Sequence, residues 1–224
     1  MNLIANVNES WGIGKNGDLL CKIPQDMSFF KFNTIGKTII YGRKTLDSFP
    51  GGKPLPFRKN IVITGELSHV KPEIQHSVNY FGSIHKLIAP RKNGESIDLN
   101  AYMMAFRDQI SDDHDKYEKF KDNTSLFVVK SVKEAIILSN ILELKSENVF
   151  VCGGESIYKQ FLPFCEYAYL TINNCKEEAD TFFPNLNEFN NWDRMVDGAE
   201  GSYGDITYRT GVLYVNRDIS NNKN

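Results

Sequence analysis

Val149-Phe150-Val151-Cys152-Gly153-Gly154-Glu155-Ser156-Ile157-Tyr158 joins a short apolar run to two adjacent glycines and then to a helix-forming stretch. A continuous apolar run suits a strand covered on both faces, as in a largely parallel sheet between helices. Adjacent glycines let a backbone approach a ligand closely, or make a turn too tight for side chains. The order is neither G-x-G-x-x-G nor a Walker loop, so neither a Rossmann site nor a P-loop follows from it. Ile61-Val62-Ile63 has the same all-apolar character. Further strand candidates are 3–7, 38–41, 60–64, 126–129, 149–152, 167–172, 206–209 and 213–215, the last two separated by Thr210-Gly211-Val212, which reads as a tight antiparallel return. Helices are predicted from Pro24, where the missing N–H of a first-turn proline costs nothing, from Arg43, over 132–144, and from Ser156 to Pro163. Strand and helix alternate, and the C-terminus is strand-rich. This is an α/β pattern.

The chain of 224 residues is 41% hydrophobic and 24% charged, with a formal net charge of −2. These values fit one globular domain and exclude a disordered chain, a collagen-like repeat and a coiled-coil rod. The near-neutral charge argues against nucleic acid as a partner. No apolar run approaches the roughly 20 residues that cross a bilayer, so no membrane partner is expected. Residues 1–9 read as the first strand, not as a signal peptide. Cys21, Cys152, Cys165 and Cys175 form no C-x-x-C pair and suit reduced thiols in the cytoplasm. His69, His76, His85 and His114 lie apart from them, so no metal site is expected. Residues 66–125 are polar, with one amphipathic stretch at 97–110. They read as a partly helical insertion, either edge decoration or an element for oligomerisation or substrate access.

Four clusters could carry chemistry. Ile23-Pro24-Gln25-Asp26-Met27-Ser28-Phe29-Phe30 places one carboxylate at a helix start among large apolar residues. Asp26 is either an acid on the helix macrodipole or a desolvated acid awaiting a ligand. A flat heterocycle with two adjacent N–H groups would match the second, and burial would raise the Asp26 pKa toward a role in protonation. Tyr41-Gly42-Arg43-Lys44-Thr45 follows a strand and opens a helix beside two cations; it is an anion site or a solvated basic turn. The glycine pair at 153–154 is a second cradle of that kind, and two such cradles suggest a dinucleotide. Arg58, after Lys53-Pro54-Leu55-Pro56-Phe57, could grip a carboxylate or lie on the surface.

Together these residues resemble the dihydrofolate reductase family. The likeness runs from residue 2 to about 64 and from about 126 onward. It rests on Ile13-Gly14, Ile23-Pro24-Gln25-Asp26, Gly42-Arg43-Lys44-Thr45, Leu55-Pro56-Phe57-Arg58-Lys59-Asn60, Gly153-Gly154 with Tyr158, Tyr169-Leu170-Thr171 and Asp180-Thr181-Phe182-Phe183-Pro184. The resemblance implies a single domain over 1–224. Its core would be a central eight-stranded, mostly parallel sheet with an antiparallel C-terminal strand and four flanking helices. It implies NADPH-dependent reduction of 7,8-dihydrofolate, with antifolates as further ligands and a monomeric state. Asp26 would bind the pterin, supported by Thr171, with Leu19 at the reacting centre. Ala5, Met27, Phe30, Phe49, Leu55, Cys152 and Tyr158 would line the substrate pocket, and Arg58 would hold the glutamate carboxylate. Ala5, Ile13 and Leu19 would flank the nicotinamide. Gly42, Arg43, Lys44 and Thr45 would bind one side of the phosphates, and Gly153, Gly154, Ser156, Ile157 and Tyr158 the other. Gly14, Gly17, Thr64, Gly65, Cys152, Glu155 and Thr181 would complete the cofactor surface. A cis peptide is implied at Gly153-Gly154, and residues 9–22 would form a lid.

The chain departs from the family pattern in two places. Leu20-Cys21 stands where many members have Pro-Trp, so an indole donor is lost near the substrate. Gly65 offers no side chain to a ribose 2′-phosphate, leaving Arg43 and Lys44 to favour NADPH over NADH. Two rival readings are the pyrimidine reductase of riboflavin synthesis, on the same fold, and a folate-binding structural component without turnover.

Overall fold

A computed structural model describes residues 1–65, 78–80, 124–143 and 145–220. The amphipathic stretch 97–110 and all four histidines lie outside the described residues, as does most of the predicted insertion.

The strands are β1 (Asn2–Asn8), β2 (Gly12–Lys15), β3 (Asp18–Leu19), β4 (Thr38–Gly42), β5 (Lys59–Ile63), β6 (Val78–Tyr80), β7 (Ser125–Val129), β8 (Val149–Val151), β9 (Tyr167–Asn173), β10 (Thr181–Phe182), β11 (Trp192–Val196), β12 (Ala199–Tyr203) and β13 (Ile206–Asn216). The helices are α1 (Pro24–Thr34), α2 (Arg43–Ser48), α3 (Val132–Leu142), α4 (Glu155–Phe161) and a terminal turn, α5 (Arg217–Ser220). One sheet runs in the order β11-β13-β9-β1-β8-β4-β5-β7-β6, with β12 paired to β13, making ten strands. The seven strands from β9 to β6 are mutually parallel, and β13 returns antiparallel to β9. The α/β architecture with an antiparallel C-terminal strand is therefore present. The eight strand candidates are seven strands here, because the last two are both part of β13; β6 at one edge and β11 and β12 at the other bring the sheet to ten.

Alternation along the apolar strands explains the two covered faces. On β1, Leu3 and Val7 face one core, shared with Ile40, Ile61, Val149 and Val151, while Ile4 faces the other, shared with Ile39, Tyr41, Val62 and Phe150. Ala135 and Leu138 of α3 and Ile157, Tyr158 and Phe161 of α4 cover the first face. Leu46 of α2, with Phe29 and Phe30 of α1, covers the second. Each fully buried Ile, Leu or Val contributes on the order of 1.5–3 kcal/mol, which is why runs with no polar residue form these strands. Pro24 opens α1 as its first residue, and the Ser131 hydroxyl caps α3 by accepting from the Glu134 N–H at 3.2 Å.

One expectation is corrected. Thr210-Gly211-Val212 is not a return between two strands. β13 continues through it, and its register against β9 shifts by one residue between Thr210 and Val212. Gly211 adopts a φ of 77°, so it absorbs the extra residue as a bulge. The actual hairpin turn joins β12 to β13, where Tyr203 pairs with Ile206 around Gly204 (φ 58°). Strands β11 and β12 escaped the sequence reading because their exposed residues show no clean alternation. Among the described residues no helix is long and apolar enough to cross a membrane.

Candidate active site

The C-terminal ends of β4 and β8 lead into the starts of α2 and α4, which lie side by side. In open α/β sheets, ligands take this position. Asp26 lies in the first turn of α1. Burial pushes its carboxyl up to about 6, against the pull of hydrogen bonds from the Thr171 and Asn6 side chains. Neither opponent is a cation. Thr171 is fully buried on β9, and its hydroxyl lies 2.8 Å from that of Thr210 on β13. The bulge at Gly211 sets that register. Met27 is 54% exposed, so the burial of Asp26 owes little to it, while Phe30 is half-buried against the second core. Leu19 is exposed as well.

Arg58, just before β5, reaches the far end of α1 with its side chain. It is only 5% exposed. Its Nε donates to the Thr34 hydroxyl at 2.8 Å and one terminal nitrogen to the Pro56 carbonyl at 2.6 Å. Its guanidinium lies 5.8 Å from the Phe30 ring centre. Among the described residues no carboxylate pairs with it, and burial pulls it below the usual arginine range. Asn60 holds the preceding loop: its amide donates to the carbonyls of Leu55, Arg58 and Ser125, and its oxygen accepts from the Leu55 N–H and the Tyr41 hydroxyl. Phe49 packs edge-on against Tyr41 with ring centres 4.9 Å apart. Phe49, Leu55 and Cys152 thus sit together over the second core.

The two strand-to-helix cradles are one structure. Gly42 N–H donates to the Gly153 carbonyl at 2.8 Å, and the Gly153-Gly154 peptide is cis. Gly153 has a φ of 115°, and a Cβ there would come within 3.2 Å of the Tyr158 ring. Tyr158 is pinned in turn by its hydroxyl, which donates to the Ile4 carbonyl at 2.8 Å. A Cβ on Gly42 would meet Ile157 at 3.2 Å. Bare backbone is therefore favoured at Gly153 by both its φ and its contact, and at Gly42 by the contact alone. A Gly153→Ala variant is expected to lose about 1–3 kcal/mol of stability, measured by denaturant unfolding, because both the φ and the ring contact oppose a methyl. Arg43 pairs with Asp47, Lys44 is exposed, and Thr45 and Ser156 stand at the two helix starts. Thr64 is buried with its N–H on the Val129 carbonyl at 3.0 Å, and open space surrounds Gly65. The Glu155 carboxylate is engaged by Lys159 and by the Phe182 N–H, which together lower its pKa.

The expected lid is partly anchored. β2 pairs with β3 and with β10, where Thr181 lies opposite Gly14, so Ile13, Gly14 and Gly17 belong to a small three-stranded sheet or its turn. Trp11 stacks on Phe183 with ring centres 6.2 Å apart, fastening one end of the segment. Ala5 is half-buried beside this segment, in β1.

The sequence reading missed four supporting side chains: Asn6, Thr34, Asn173 and Thr210. Each is a polar residue whose meaning comes from a partner far away in the chain. Asn60 was visible within a motif, but its several bonds were not.

Sheet order and the paired helix starts place the protein in the open α/β class, with its candidate site toward the carboxyl ends of the strands. A family model described as dihydrofolate reductase matches residues 1–99 and 82–209. The dihydrofolate reductase of Neisseria meningitidis serogroup A is 45% identical over 213 residues, covering 93% of this chain and 96% of that protein. That of Staphylococcus haemolyticus is 29% identical over 192 residues, covering 86% and 80%. A solved structure of the dihydrofolate reductase from Enterococcus faecalis, complexed with NADP(H) and RAB-propyl, superimposes with a TM-score of 0.60 at 23% identity, covering 97% of this chain and 96% of that one. The chain belongs to the dihydrofolate reductase family.

Proposed function

We propose that this protein reduces 7,8-dihydrofolate to 5,6,7,8-tetrahydrofolate with NADPH, placing a hydride on pterin C6 and a proton on N5. One observation carries the reading: α1 presents a half-buried acid at one end and, through Thr34, a buried cation at the other, and among the described residues neither is paired with an opposite charge. Eight residues separate Asp26 from Thr34, about 12 Å along a helix axis. A ligand with an amino-heterocycle at one end and a carboxylate at the other satisfies both.

Asp26 orients the ring by accepting from two adjacent N–H groups. With its pKa near 6 it is partly protonated just below neutral pH, so it can polarise the ring and supply a proton through water toward N5. Arg58 grips the glutamate, and Phe30, Phe49 and Leu55 contact the connecting ring. The starts of α2 and α4, held side by side by the Gly42–Gly153 hydrogen bond, offer a dinucleotide two sets of backbone N–H groups for its phosphates. Gly42 to Thr45 would hold one side of its phosphates and Gly153 to Tyr158 the other, with Arg43 and Lys44 favouring the extra phosphate. Ile13 and Leu19 would cover its nicotinamide. When bound, that cofactor supplies the hydride; the protein supplies orientation, exclusion of water and the proton.

The test is loss of NADPH absorbance with dihydrofolate, with and without an antifolate. Antifolate-sensitive turnover supports the proposal. Binding of folate without turnover would indicate a structural component, and turnover only of an aminopyrimidine would indicate the riboflavin-type reductase.

A further inference from the structure

β10 and the residues beside it lie between two parts of the protein, and their backbone N–H groups divide between them. The Asp180 N–H donates to the Gly14 carbonyl at 3.1 Å and the Phe183 N–H to the Trp11 carbonyl at 2.8 Å. In a regular strand every second residue faces the same neighbour, so Phe182 would share the direction of Asp180. The register instead shifts between Thr181 and Phe182. That irregularity gives the β2 side to Phe183 and turns the Phe182 N–H the other way, toward α4. There Glu155, the first residue of α4, accepts it with Oε2 at 3.0 Å. The other carboxylate oxygen, Oε1, accepts from Lys159 one turn later in the helix. The carboxylate thus meets a donor on each side, and its bond to Phe182 is charge-assisted. The two elements also meet through Tyr158 and Phe183, whose rings pack edge to face with centres 4.6 Å apart.

We infer that Glu155 is a positioning residue for the reductase site: through the Phe182 N–H it ties the start of α4, on the phosphate side of the proposed cofactor site, to β10 and so to the β2–β3 hairpin that would cover the nicotinamide. The hairpin is fastened to β10 by the two carbonyl contacts and by the Asn16 N–H, which donates to the Asp180 carboxylate at 2.7 Å. Glu155 carries that attachment on to the helix. A cofactor that spans both parts then finds them already placed, and less of its binding free energy goes into ordering the hairpin. A carboxylate at a helix start has a second possible effect, because it would repel a phosphate bound there. Lys159 and the Phe182 N–H engage its two oxygens, so the tether is the effect that the geometry favours.

The effect on the cofactor rests on the proposed reduction, but the tether does not, and the experiments separate the two. In the ligand-free protein, Glu155→Ala should speed amide hydrogen exchange at Phe182 by about tenfold, with the amides of β4 unchanged as a measure of intact folding. Glu155→Gln keeps an acceptor oxygen without the charge and should fall between. Binding is then measured with NADPH and with adenosine 2′,5′-bisphosphate, which carries phosphates but no nicotinamide. Glu155→Ala should weaken NADPH by about 3- to 10-fold and leave the bisphosphate within about twofold. KM for NADPH should rise in step while KM for dihydrofolate holds. Unchanged exchange at Phe182, or unchanged NADPH affinity, overturns the inference, and so does an equal loss for both ligands. Tighter binding of both also overturns it, because the carboxylate would then act by repelling phosphate. Faster Phe182 exchange in a protein that neither binds NADPH nor turns over dihydrofolate would overturn the proposed reaction and the role of Glu155 in it, and leave the tether standing.

Discussion

Asp26→Asn should lower kcat for dihydrofolate reduction by about 10²- to 10⁴-fold, the range for loss of a positioned acid, while leaving NADPH affinity within about threefold. The same variant should be more stable. The carboxyl moves from an ordinary 3.8 up to about 6, so the folded protein binds its proton more tightly than the unfolded chain. Stability from this group is therefore greatest below pH 3.8 and declines as pH rises to 6. A shift of about two units corresponds to about 3 kcal/mol at neutral pH. An amide avoids most of that penalty. Denaturant unfolding at pH 5 and pH 7.5 should show wild type losing stability relative to the variant across that interval. Equal kcat, or a variant less stable at both pH values, would remove the buried-acid account.

Arg58→Leu should raise KM for dihydrofolate by on the order of 100-fold, about 3 kcal/mol, as expected when one partner of a desolvated charge pair is removed. A pterin substrate lacking the glutamate should be affected only slightly, because it never reaches that end of α1. Folding should change little, since the lost bonds to Thr34 and Pro56 are offset by release of a buried charge. The comparison of the two substrates is the decisive measurement. An equal loss for both would mean that Arg58 shapes the cleft and does not grip a carboxylate.

Much of the fold was legible because its signals are local. Runs such as Ile61-Val62-Ile63 name buried strands, Pro24 marks a helix start, and Gly153-Gly154 marks a close backbone approach. Gly211 misled because a glycine with positive φ serves a turn and a bulge equally well; the choice depends on β9 lying alongside, which no local pattern records. β11 and β12 lack alternation because much of their surface faces solvent. Asp26 and Arg58 stood out by type and setting. Asn6, Asn173 and Thr210 did not, because an asparagine or threonine in a strand carries meaning only through a partner over a hundred, or several tens of, residues away.

The extra residue at position 211 also puts the two halves of the last long strand in different phase against their neighbour. A splice that drops that single glycine while joining the same segments would carry one set of side chains to the wrong surface and part Thr210 from Thr171. Chimaeras with relatives should therefore be cut between Tyr203 and Ile206, where the hairpin turns, and never within 209–212.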